Sequence, residues 1–291
     1  MKRLIFALSL LMASCMLPAA QAEPKPIAWH WKDSFSPQQQ RNYQGWLTDV
    51  YDALGRVTGP LPFTVHIELF SARNFSSEDM GEPVPWARTW RNPERQAVQL
   101  YLDTRYSLSE FKRDWTAPHE LSHLLLPYLG EKDSWLAEGF ASYMQFIVME
   151  EMGVIDGYIR QQRLVSRIQK AEAAYNKQLL GSISASHASL SLAERLRLSG
   201  QLGDSPTMYW GGAVFFLQLD AKLNQRGGLT AVLKRYLKCC RLPQQDTGAL
   251  LKTLDKLSFS DLFTTTYQAF HTQSQFPDYR RYIESATTWS R

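Results

Sequence analysis

The stretch from Thr116 to Tyr143 reads "TAPHELSHLLLPYLGEKDSWLAEGFASY". His119 and His123 stand four residues apart and bracket Glu120. Four residues on a helix turn through about 400°, so both imidazoles leave from nearly one face, one turn apart. Glu120 lies beside that pair rather than in line with it. Pro118 is tolerated only in an opening turn, so the helix is expected to start near Thr116, a suitable N-cap. The segment from Ser134 onward predicts a second helix, capped by Ser134. A turn this short makes the two helices antiparallel or sharply bent, which can return Glu138 to the histidines. Glu131 and Asp133 are expected to solvate the turn. Leu129 stands where an extended pattern would carry a third histidine. Two readings stay open on these residues alone. Either the histidines and an acid hold one metal ion, or His119 and Glu120 cap a helix while His123 packs in a core.

"HELSH" followed by "WLAEGFASY" resembles the gluzincin zinc metallopeptidases, in particular the catalytic domains of the aminopeptidase N and glycyl aminopeptidase families. The resemblance implies a thermolysin-like zincin fold, one Zn²⁺ held by His119, His123 and Glu138, and Glu120 as general base. Further on, "TMYWGGAVFFLQLDAKLNQRGG" is similar to the Y-x-K-G-A segment of the same families, which makes Tyr209 the donor to the transition-state oxyanion. A half-buried helix aromatic is the plainer reading of Tyr209. Three features depart from the family pattern. The spacing from His123 to Glu138 is short, the Lys of Y-x-K-G is missing from "YWGG", and Gln145 stands where those families tend to carry an acid that braces a zinc histidine. Gln145 lies two turns after Glu138 and shares its face. Its amide oxygen can accept an imidazole N–H without a full charge, and weaker zinc binding is expected. The G-x-M-E-N segment that helps those aminopeptidases hold a free N-terminus is absent. The local text is "EDMGEPVPW", in which Glu78 or Glu82 can serve as amine anchor or as an ordinary solvated acid. The chain is also expected to lack the large flanking β domains of the aminopeptidase N family.

Outside this core the chain begins "MKRLIFALSLLMASCMLPAAQA". A basic start, an apolar stretch and Ala20-Gln21-Ala22 have the layout of a secretory signal peptide over residues 1–22. A competing reading has Cys15 lipidated, which would tether the chain to a membrane. No later apolar run is long enough to span a bilayer. The net charge of +4 is spread over scattered Lys and Arg, which gives no reason to expect nucleic acid. After the leader only Cys239 and Cys240 remain; as neighbours they can close only a vicinal disulfide, so no disulfide framework supports the fold.

Residues 23–36 read as a linker or leader strand, and residues 37–291 as one peptidase-like domain. Within it, 37–145 form a small mixed lobe carrying the zinc helix and 146–291 a helical lobe, an α+β class. Pro37–Leu54 predicts a helix ended by Gly55 and Gly59-Pro60, and "PFTVHIELFSA" a half-buried strand with His66 on its solvated side. Residues 73–95 read as loop. "RQAVQLYLDTR" predicts a strand whose open edge could line the cleft and take a peptide as an added strand.

The function expected is that of an exported zinc-dependent peptidase acting on peptides or proteins. The alternative is a peptidase-like fold that binds peptides or partners without turnover, favoured by Gln145 and the missing Lys and opposed by the intact Glu120. A purely structural zinc would need a fourth protein ligand, and His30, His187 and His271 read as solvated instead.

Overall fold

The computed structural model describes residues 26–74, 81–180 and 190–286. The leader with Cys15, Glu78 and His187 lie outside them. β1 (Ile27–Trp31) precedes α1 (Pro37–Thr58), followed by β2 (Val65–Ser71), β3 (Trp86–Asn92) and β4 (Arg95–Leu102). Helices follow: α2 (Leu108–Arg113), α3 (Thr116–His123), α4 (Ser134–Glu151), α5 (Gly157–Leu180), α6 (Leu192–Gln201) and α7 (Ser205–Lys222). α8 (Gly228–Cys239), α9 (Thr247–Ser258), α10 (Leu262–Thr272) and α11 (Arg280–Ala286) complete the helical lobe. The class is α+β, a small mixed sheet followed by helices. None of the described helices is long and apolar enough to cross a membrane.

The sheet order is β1-β2-β4-β3, with β1, β2 and β4 parallel and β3 antiparallel to β4. Val65, Ile67 and Leu69 of β2 are fully buried, as the alternation predicts. His66 is not simply solvated: its Nδ1 lies 2.9 Å from Nε2 of His30, and the rings stack at 5.1 Å. Two expectations about this lobe are overturned. Residues 73–95 contain β3, whose "WARTWRN" carries no apolar alternation because neither face of this edge strand is buried in the core. β4 is consequently enclosed between β2 and β3, and the open edge beside α3 belongs to β3.

Of the two expected stops it is Gly59, at φ +84°, that ends α1; the helix runs through Gly55 to Thr58. Glycine costs a helix about 1 kcal/mol but does not break it, whereas a left-handed residue must. Thr116 is the first residue of α3 rather than its cap; the side chain of Asp114 accepts from its backbone N–H at 2.8 Å. Ser134 likewise opens α4 from within, and Asp133 precedes it. Asp133 is buried rather than solvated, accepting from the Thr247 and Tyr267 hydroxyls, both at 2.7 Å. Glu131 accepts from the exposed Tyr128 hydroxyl. Cys239 and Cys240 are joined by a disulfide.

α4 and α7 are apolar on every side and cross at the centre of the helical lobe. Their backbones meet at glycines: a Cβ on Gly139 would stand 2.2 Å from the carbonyl carbon of Gly212, and one on Gly212 would stand 2.2 Å from the Trp135 carbonyl oxygen. Neither obstacle can rotate aside. Gly139→Ala and Gly212→Ala should therefore each cost about 1–3 kcal/mol or more, read as a lowered thermal midpoint; unchanged melting would show that the helices can part freely.

Candidate active site

α3 is short, and the chain after it turns back through Leu124, Leu125 and Leu126, all buried. Arg241 fastens this turn, donating through Nε to the Leu124 carbonyl and through Nη2 to Gln96 of β4, each at 2.9 Å. Gly130, at φ +78°, then redirects the chain into α4. α4 packs along α3 and lays Glu138 across both imidazoles. Oε2 of Glu138 is 3.2 Å from His119 Nε2 and 3.4 Å from His123 Nε2. Both histidines are buried, their rings at right angles 4.8 Å apart.

Donors bound tetrahedrally to zinc at 2.0–2.1 Å lie about 3.3 Å from one another. The spacing of Glu138 Oε2 from the two Nε2 atoms fits that figure on both sides. Glu120 also brings an oxygen near, since one atom from each of His119, Glu120 and His123 falls within a 4.8 Å span. Two carboxylates thus stand near the third position, and the balanced distances of one oxygen to both imidazoles favour Glu138. Glu120 is held from behind by β3: Thr89 Oγ1 lies 2.5 Å from its Oε2 and 2.9 Å from its main-chain oxygen.

Oε1 of Gln145 lies 2.9 Å from Nδ1 of His119. Nδ1–H donating to that oxygen leaves the Nε2 lone pair facing Glu138, the tautomer a metal requires. Nδ1 of His123 is buried and has no partner among the described residues. Tyr209, half-buried on α7, places its ring 5.7 Å from that of His119. Burial raises the Tyr209 phenol above its ordinary pKa, and the charges of Glu138 and Glu120 raise it further, so it stays protonated. Burial alone would raise the Glu138 carboxyl, but the imidazoles of His123 and His119 outweigh it and hold the group well below the usual range. Burial lowers the His123 pKa, and Arg91 assists; for His119 the same burial is overcome by Glu138.

Sequence reading missed β3, and with it Thr89 and Arg91. The one available signal was the period of two that sets Ala87, Thr89 and Arg91 on one side and Trp86, Arg88 and Trp90 on the other. Arg91 Nε and Nη1 are buried without a hydrogen-bond partner among the described residues. Cavities open on both sides of the triad. One of about 820 Å³ is lined by Gln145, Tyr209, Trp115 and Glu82, and one of about 360 Å³ by Glu138, Arg91 and Tyr128. His30 and His271 are engaged elsewhere, His30 with His66 and His271 against Trp135 and Tyr267.

No family model matches the chain, and no curated protein does. Among solved structures, similarity is found to an M1 zinc metallopeptidase from Deinococcus radiodurans, at 17% identity over 85% of this chain and 48% of that one, with a TM-score of 0.46. A mutant M1 zinc metallopeptidase from the same organism, bound to a Tyr-Ser-Ala substrate, matches at 17% identity over 85% and 48%, with a TM-score of 0.41. A two-domain M1 zinc metallopeptidase mutant bound to L-arginine matches at 15% over 87% and 49%, with a TM-score of 0.46. The chain spans about half the length of these structures.

Removing the Gln145 amide should loosen His119. Gln145→Ala is expected to weaken zinc binding by about 10–100-fold, and Gln145→Glu to strengthen it, both measured by competition with a chromophoric chelator; equal affinity in all three proteins would deny Gln145 any hold on the site.

Proposed function

We propose that the chain is a zinc-dependent peptidase, with His119, His123 and Glu138 as ligands of one Zn²⁺ and Glu120 as general base. The observation that carries this reading is the single oxygen of Glu138 set at nearly equal distance from two buried imidazole nitrogens. Zinc bound there supplies a Lewis acid for a peptide carbonyl and lowers the pKa of its water to about 7. The remaining chemistry falls to the side chains. Glu120, its carboxylate steadied by Thr89, takes a proton from the attacking water and returns it to the leaving amine. Tyr209, kept protonated, donates to the oxygen that gains charge in the transition state. Gln145 acts through His119 and positions it.

A peptide can reach this centre along the open edge of β3, which runs beside α3, and through the two flanking cavities. For the aminopeptidase-like preference the resemblance implies, Glu82 is the acid at hand, since it shares the larger cavity with Gln145 and Tyr209. Export is the cellular setting proposed. The leader over residues 1–22 supports it, and so does the Cys239–Cys240 disulfide, a bond that persists in oxidising compartments. Cleavage after Ala22 is favoured over lipidation of Cys15.

With a fluorogenic peptide library and the zinc-loaded protein, Glu120→Gln should lower kcat/KM by about 10²–10⁴-fold while zinc content stays that of the wild type. Tyr209→Phe should lower kcat by about 10²–10³-fold. No turnover by wild type, with peptides still bound, would favour the binding protein over the enzyme. N-acetylation of good substrates separates the specificities: an aminopeptidase-like site loses them, and a site indifferent to the amine does not.

A further inference from the structure

Arg91 sits on the edge strand β3 with its guanidinium turned toward the two acids of the site and away from any partner. Among the described residues it forms no ion pair, although Glu138 lines the same cavity. Its Nε and Nη1 are buried with no acceptor among the described residues, and the Tyr128 ring lies 5.7 Å from the guanidinium carbon. Burying donors and a charge without partners is costly, and such a group is retained where something else supplies the acceptors. Arginine keeps its charge at any pH a protein meets.

The charges near Arg91 come from every side of the cavity. Glu138 stands on α4 and Arg197 on α6, the latter engaged with Gln201 at 2.9 Å. Glu131 is engaged by the Tyr128 hydroxyl at 2.9 Å. With Zn²⁺ bound, the charges of Glu138 and Glu120 together cancel those of the metal. Arg91 then leaves the centre with a net positive charge, and its side chain borders the cavity. A guanidinium fork matches the two oxygens of a carboxylate and repels an ammonium.

We propose that Arg91 forms an anion subsite on the Glu138 side of the metal centre, and that the peptides this site takes present a carboxylate there. The carboxylate comes either from a free C-terminus or from an acidic side chain near the bond to be cut. This proposal rests on the peptidase reading for the place of the metal and of the scissile bond. The cavity volume of about 360 Å³ suits a residue or two rather than a folded partner.

The test uses the zinc-loaded Glu120→Gln protein, so that binding is read without turnover. Calorimetric titration compares three probes: Ala-Ala-Ala with a free C-terminus, the same tripeptide amidated, and amidated Ala-Glu-Ala. At least one carboxylate-bearing probe should bind about 10-fold or more tighter than the neutral amide. The free-acid and Glu-containing arms show which source the subsite takes. Adding Arg91→Gln should erase that difference while leaving the neutral amide within about 2-fold, and Arg91→Lys should keep part of it. Zinc content and thermal melting confirm that each variant is folded and loaded, and should Arg91→Gln fail there, Arg91→Lys alone carries the test through a reduced carboxylate preference. The proposal is overturned if all probes bind alike, if none binds, or if substitution of Arg91 weakens every probe equally, the mark of a group that only balances the acids. The two failures are separable. Wild type that cleaves peptides without carboxylate preference sinks the subsite alone; carboxylate-selective binding without cleavage sinks the peptidase reading alone.

Discussion

Two buried imidazoles cannot be set within 3.4 Å of one carboxylate oxygen without a reason, because each group loses its water in doing so. Here the acid and one base compensate each other only in part: Nδ1 of His123 has no partner among the described residues, and Glu138 is shared between two nitrogens rather than given to one. A divalent cation would remove the conflict by taking all three lone pairs. The fold around the site can be understood as the means of holding these groups together while keeping them dry.

That means is the crossing of α4 and α7. Gly139 follows Glu138 directly, and its contact with Gly212 brings the two helix backbones closer than any side chain would allow. Tyr209 lies three residues, nearly one turn, before Gly212, so the same contact sets the phenol near His119. Glu138 and Tyr209 are therefore placed by one backbone approach. β3 supplies the opposite wall, where Thr89 holds Glu120 and Arg91 brings a cation to the acids.

Much of this was legible in the chain. The four-residue spacing of His119 and His123 and the short link to Glu138 are helical geometry, and helices repeat faithfully from sequence. Trp46, Leu47, Val50, Tyr51 and Leu54 recur at helical spacing and mark the inner face of α1 in the same way, Tyr51 being only half-buried. β3 was not legible because "WARTWRN" is written for an edge: its Trp and Arg side chains satisfy cation–π contacts such as Arg88 over Trp90, at 3.9 Å, instead of a hydrophobic alternation. Missing β3 meant misplacing the open edge of the sheet and missing Arg91. Asp133 failed for a different reason. Its burial is paired with hydroxyls of Thr247 and Tyr267, more than a hundred residues away, and no local pattern announces such partners.

The central claim is that Glu138, rather than Glu120, completes the metal site. Zinc content and affinity of the purified wild type, Glu138→Gln and Glu120→Gln, determined side by side, test it most directly. The geometry predicts one tightly bound zinc per chain in wild type and in Glu120→Gln, and loss of tight binding in Glu138→Gln. Zinc held equally well by Glu138→Gln, or lost from Glu120→Gln instead, would contradict it.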